Sequence, residues 1–233
     1  MVAQPQTATS SEIIYPESDG QPMSDNTKQF RWIVTIKENL EILYASDPNI
    51  FVGGDLMWYP VEGSNRLCQA PDTMVVFGRP KGDRGSYQQW KEENIPPQVV
   101  FEILSPSNTP TEMSRKLLFY QQYGVEEYYI YDPERNELVG SQRVEQHLVE
   151  IPEVQEWVSP RLGVRFVVDE TTLNLYAPNG DRFLTPVELA AQRDQERQRA
   201  DQERQRAEQE RQRADELEEL LRQYRDRFGE LES

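Results

Sequence analysis

One stretch, PPQVVFEILSPSNTPTEMSRKLLFYQQYGVEEYYIYDP (residues 96–133), restricts the folds open to this chain more than any other. Val99–Leu104 and Tyr128–Tyr131 are short β-branched or aromatic runs of the length of a buried strand. Ser105-Pro106 ends the first run, because proline cannot continue a strand ladder. Thr109, Pro110 and Thr111 carry helix-start chemistry. Met113, Leu117 and Tyr120, with Phe119 and Tyr123 alongside, make an apolar helix face, and Gly124 suits a C-cap. The next strand is expected over Glu127–Tyr131 and the turn at Asp132-Pro133. Strand, helix, strand is the pattern of a right-handed crossover between parallel strands. A third apolar run, Met74–Phe77, follows Ala70-Pro71-Asp72 and adds a further strand.

Around this centre the remaining elements are short. Residues 1–20 read as a flexible lead rich in Ser, Thr and Pro. Ile33, Ile36, Leu40 and Leu43 recur at helical spacing, so a helix is expected over about residues 26–45. Ser24 and Asp25 are its candidate N-caps, and Pro48 ends it. Ile50–Trp58 reads as a strand interrupted by Gly53-Gly54, a pair that suggests a bulge or close backbone approach. Beyond Asp132 come β-rich runs at Leu138–Arg143, His147–Ile151 and Val164–Val168, then Leu173–Tyr176 and Arg182–Leu184 flanking the hairpin signal Asn179-Gly180.

The end of the chain differs in kind. RDQERQR, ADQERQR, AEQERQR and ADELEEL follow one another with a period of seven over residues 193–220. With Ala200, Ala207, Ala214, Leu221 and Phe228 at a, the d positions are Glu203, Glu210, Leu217, Tyr224 and Leu231, so only the last heptads have an apolar seam. Arg197–Asp201, Arg204–Glu208 and Arg211–Asp215 are candidate i,i+4 ion pairs. One long helix is expected from Glu188 to about Gly229. It either stands alone in water or pairs with a second copy, making a homo-oligomer. The expected organisation is a lead over 1–20, a domain over 21–187 and a charged heptad helix over 188–233.

Composition narrows the chemistry. The single cysteine, Cys68, rules out an intrachain disulfide and a cysteine zinc cluster. The single histidine, His147, rules out a multi-histidine metal site. A metal held here needs oxygen ligands, which selects Mg²⁺, Mn²⁺ or Ca²⁺. No apolar run is long enough to cross a membrane and no signal-peptide pattern opens the chain, so the expected compartment is the cytoplasm. Net charge is −16: −4 in the segment from Glu188 and −12 in the rest. This is the wrong sign for a protein held to nucleic acid by a broad basic face, so any such contact is expected to be local, assisted by metal ions or made by an oligomer. Residues 78–95 interleave Lys81, Arg84 and Lys91 with Tyr87 and Trp90, either as a strand-binding loop or as a surface loop whose Trp90 packs on the core.

Acidic residues occupy positions where a strand interior does not favour them. Glu102 lies between Phe101 and Ile103. A carboxylate there costs several kcal/mol unless paired or metal-bound. Asp72 sits at a strand entrance, and Lys116 lies on the helix that follows. Asp55, after the glycine pair, either reaches the same place or lies in a turn. Asp72 and Glu102 can hold a hard cation, aided by a backbone carbonyl next to Glu102, and a nearby lysine can orient water or offset charge. Phosphodiester hydrolysis suits such a set, since it needs no histidine, thiol or serine.

Together, YPESDGQPM, Gly54-Asp55, Ala70-Pro71-Asp72, VVFEILSPSN, Lys116-Leu117 with Tyr120, GVEEYYIYDP and the Ala/Glu/Arg heptads resemble the Uma2 family, from about Tyr15 to the end of the chain. The resemblance implies a restriction-endonuclease-like PD-(D/E)xK fold. That is an α/β (α+β) αβββαβ core with a mixed central sheet and flanking helices, here with extra β-hairpins and a long C-terminal helix. It implies a Mg²⁺- or Mn²⁺-dependent endonuclease acting on DNA. Pro71-Asp72 matches the PD pair and Glu102 the (D/E) position. The lysine position falls on Leu104, and Lys116 matches a lysine that family members place on the helix. Two other functions stay open: a degenerate nuclease-fold scaffold acting through the C-terminal helix, and a hydrolase of other phosphate esters such as nucleotides.

Overall fold

The computed structural model describes residues 13–18, 20, 24 and 26–229. Two compact units divide the chain, Met1–Thr185 and Pro186–Ser233, so the second begins two residues before the expected boundary.

In the first unit the elements run α1 (Thr27–Leu43), β1 (Ile50–Gly54), β2 (Trp58–Tyr59), β3 (Thr73–Phe77), β4 (Tyr87–Gln88), β5 (Val99–Ile103), α2 (Pro110–Gln122), β6 (Glu127–Asp132), β7 (Glu137–Val144), β8 (His147–Glu150), β9 (Arg165–Val168) and β10 (Leu173–Tyr176). Six strands form one sheet in the order β1-β3-β5-β6-β7-β8. Only β5 and β6 are parallel within it, joined by α2 as the crossover; the other neighbours are antiparallel. The sheet is therefore mixed, and α1–β1–β3–β5–α2–β6 is its αβββαβ core.

Strand alternation sorts the two faces. On one, Ile33, Ile36 and Leu40 of α1 pack on Val52, Val75, Val99, Phe101, Ile103, Tyr129 and Tyr131, with Phe166, Leu173 and Leu175 of the β9–β10 hairpin completing the layer. On the other, Tyr120 of α2 packs among Met74, Val76, Val100, Tyr128 and Trp58. Each large side chain removed from water here contributes on the order of 1.5–3 kcal/mol.

Several local expectations change. Asn26 caps α1, its Oδ1 accepting from the backbone N–H groups of Lys28 (3.0 Å) and Gln29 (2.9 Å); Asp25 lies outside the described residues. Ser24 is not the cap. Gly53 and Gly54 lie in an unbroken antiparallel ladder against Met74 and Thr73, so no bulge forms. They let neighbouring side chains pack close: a Cβ on Gly53 would stand 3.0 Å from the Met74 Cε and one on Gly54 3.2 Å from the Lys37 Cγ, so each neighbour would have to give way. The strand expected over 50–58 instead breaks at Asp55, which adopts φ 45°. Arg182–Leu184 forms no strand, only a bridge from Tyr176 to Arg182. The lead is fastened where it is described: Tyr59 Oη donates to Pro16 O (2.7 Å), and the Gly63 N–H donates to Tyr15 Oη (2.7 Å).

The second unit contains α3 (Pro186–Phe228), 43 residues and about 65 Å at 1.5 Å per residue. Leu217, Leu221 and Tyr224 of the seam are 61%, 56% and 47% exposed; Leu231 lies outside the described residues. Its ion pairs include Arg193–Asp194 (3.9 Å) and Arg222–Glu219 (2.9 Å), whereas the three expected i,i+4 pairs do not close. Long solvated side chains gain too little from such a pair to hold one geometry.

Candidate active site

The β3–β5 ladder pairs Thr73 with Phe101 and Met74 with Val100. Continued by one residue, it sets Asp72 opposite Glu102, on the face shared by Met74, Val100 and α2. Asp55 ends the adjacent strand, its N–H donating to the carbonyls of Pro71 (3.1 Å) and Asp72 (3.3 Å). Asp72 and Glu102 thus face one another on neighbouring strands, with the Asp55 backbone beside Asp72 just past the end of β1.

Glu102 is 2% exposed and Asp72 8%. Lys116 Nζ donates to Glu102 Oε2 at 2.7 Å, and Tyr120 Oη donates to Glu102 Oε1. Lys116 and Tyr120 are four apart on α2, so one helical turn delivers both donors to the two oxygens of one carboxylate. The turn before α2 fixes where that helix starts. The Ser105 N–H donates to Asn108 Oδ1 (2.8 Å), Asn108 Nδ2 to Glu112 Oε1 (3.1 Å), and the Glu112 N–H to Thr109 Oγ1 (3.2 Å). Asp72 Oδ2 accepts from the Ile103 N–H at 2.6 Å, while Gln29 Nε2 donates to the Ile103 carbonyl at 2.8 Å. The peptide groups flanking Ile103 are therefore fixed both by β3's acid and by α1.

Burial, then the negative charge of Glu102, pushes the Asp72 carboxyl well above its usual range; the Ile103 N–H and Lys116 oppose this only partly. Burial alone would lower Lys116, but the charge and hydrogen bond of Glu102 outweigh it and raise its pKa, so the ammonium is kept. Burial and then Glu102 raise Tyr120, so its hydroxyl keeps its proton and donates.

The structure brings Asp72, Glu102 and Lys116 together, with Asp55 beside Asp72. Lys116 supplies the ammonium that Leu104 does not. Gln29, Tyr120 and Tyr128 were not singled out as site residues from the sequence. Tyr120 had a signal, standing at i+4 from Lys116; Gln29 had none, as a polar residue in an amphipathic helix. The Tyr128 hydroxyl is buried on the α2 side and meets no hydrogen-bond partner within the protein. In the loop over 78–95 most basic side chains are engaged within the protein, and Trp90 packs on Tyr15 of the lead rather than on the core clusters. Arg79 and Arg84 pair with Glu92 (both 2.8 Å), Lys81 with Glu41 (3.2 Å), and the Trp90 ring lies 4.9 Å from that of Tyr15. His147 is exposed on β8, and Cys68 donates to the Asn65 carbonyl at 3.8 Å, so neither joins the site.

The donor set fits a hard cation. It is all oxygen, its two carboxylates repel one another, and an orphaned hydroxyl lies in the same layer. Among the described residues no group of three or more His, Cys, Asp or Glu is placed to hold a metal by itself, so water would complete the coordination. Mg²⁺ usually retains several waters.

The Uma2 family, described as "Putative restriction endonuclease", matches residues 21–169. Among solved structures the chain is similar to a "putative nuclease belonging to DUF820" from Anabaena variabilis, 14% identical, covering 58% of this chain and 72% of that one with a TM-score of 0.44. No curated protein matches it. No helix among the described residues is long and apolar enough to cross a membrane. A match across most of the chain, ending at Asp169, places this protein in the Uma2 family of restriction-endonuclease-like proteins.

Proposed function

We propose that this chain is a Mg²⁺- or Mn²⁺-dependent endonuclease that hydrolyses DNA phosphodiesters at the site formed by Asp72, Glu102 and Lys116. The observation that carries the reading is the 2.7 Å contact from Lys116 Nζ to the buried Glu102 carboxylate. It supports the reading because an ammonium lies against the buried carboxylate although Leu104 stands where the resemblance expects a strand lysine. Asp72 and Glu102 would hold the ion, and Asp55 is the nearest further acid. A divalent ion bound there polarises a phosphate and lowers the pKa of water. Lys116 holds its proton and offsets negative charge developing on the phosphate. Tyr120 and the Ile103 N–H hold the two carboxylates in place. The exposed Leu217–Tyr224 seam would join two copies through α3.

A second reading, a scaffold of the same fold, is favoured by Leu104 and by the −12 charge outside the tail. Supercoiled plasmid separates the two. With Mg²⁺ or Mn²⁺ the protein should nick it, and Glu102→Gln, purified identically, should lose at least a hundredfold in rate. Equal rates would point to a contaminant and leave the scaffold.

A further inference from the structure

We propose that the Tyr128 hydroxyl holds a water molecule in the hydration shell of the divalent cation seated at Asp72 and Glu102. The inference rests on the cation-site reading above. Val100 pairs with Tyr128 and Glu102 with Ile130, so Tyr128 lies one alternate residue below the acid, on the same face. Its ring stands 5.0 Å from that of Tyr120, which donates to Glu102. At 1% exposure the Tyr128 side chain is buried, yet its hydroxyl has no partner in the protein. The charges that act on this hydroxyl are those of Glu102, Asp72 and Glu112. Packed edge-on against Tyr120 on the strand next to Glu102, it lies beside the acid layer, and a buried polar atom there is normally satisfied by water. Magnesium and manganese ions carry water into their sites, and groups that orient metal ligands typically alter affinity 10–100-fold.

Tyr129 is the natural control. It is the next residue on β6, faces the opposite layer, and its hydroxyl already bonds Glu127 at 3.0 Å. Mn²⁺ binding to the full-length protein, measured by calorimetry, and melting in EDTA test the assignment. Tyr128→Phe should weaken Mn²⁺ binding about tenfold and leave the metal-free melting temperature equal or higher, because an orphan hydroxyl is removed. Tyr129→Phe should lower that melting temperature and spare Mn²⁺ affinity. Unchanged Mn²⁺ affinity in Tyr128→Phe would overturn the proposal, as would a fall of several degrees in its metal-free melting temperature. If the unaltered protein bound no Mn²⁺, the cation site itself would fall, a distinct outcome.

Discussion

Glu102 sits inside a strand as a charge that two neighbours neutralise and orient. Lys116→Ala leaves that carboxylate buried with its main counter-charge gone, which should cost about 3–5 kcal/mol in urea unfolding. Combining Lys116→Met with Glu102→Leu should restore most of that stability while abolishing cleavage, because an apolar pair of similar volume removes the desolvation cost. A double variant no more stable than Lys116→Ala would show that the pair is not the main term. Asp72 makes a second prediction. Its carboxyl is raised above the unfolded value, so the folded metal-free protein binds the proton more tightly. That stability is fully present below about pH 3.8 and is lost as pH rises through the folded pKa. In EDTA the melting temperature of the parent should therefore fall relative to that of Asp72→Asn as pH increases. A difference that does not change with pH would contradict the burial argument. Divalent ions compete with this proton, so their binding should strengthen with pH.

The elements differ in how far the sequence disclosed them. β5, α2 and β6 were legible because proline, threonine and glycine punctuate them and their periodicity changes cleanly from 2 to 3.6. From that frame Glu102 stood out, and Asp72 followed through its place before β3. What stayed hidden depends on three-dimensional register, such as Gln29 reaching Ile103 across 74 residues and the break after Gly54; at α1, three adjacent cap residues, Ser24, Asp25 and Asn26, left the choice among them open. The β6–β7 pairing supplies a prediction at this scale. Gly140 lies opposite Tyr129, and a Cβ there would stand 2.9 Å from Ile151 Cδ1, 3.2 Å from Val154 Cγ2 and 3.3 Å from Tyr129 Cδ1. Gly140→Ala should destabilise by about 1–3 kcal/mol by overpacking, seen as a lower urea midpoint with an unchanged slope.

For the whole molecule, the acidic balance and the division into two units set the terms. On the proposed function, a chain of net charge −16 would meet DNA with little long-range attraction, so binding is expected to depend on the divalent ion. The heptads of α3 are apolar only from Ala214 onward, which confines any pairing to that end. Leu221→Asp should shift the sedimentation of the full chain from dimer to monomer without altering its cleavage rate per subunit, and an unchanged mass would remove α3 as the joining element. On the proposed function, one acidic pair, braced by Lys116, holds the catalytic ion. A crystal soaked in Mn²⁺ and measured for anomalous scattering tests it most directly. The expected result is a peak about 2.0–2.3 Å from oxygens of both Asp72 and Glu102 that disappears in Glu102→Gln. A cleavage-competent protein with no peak at these residues, or with its peak elsewhere, would contradict the account.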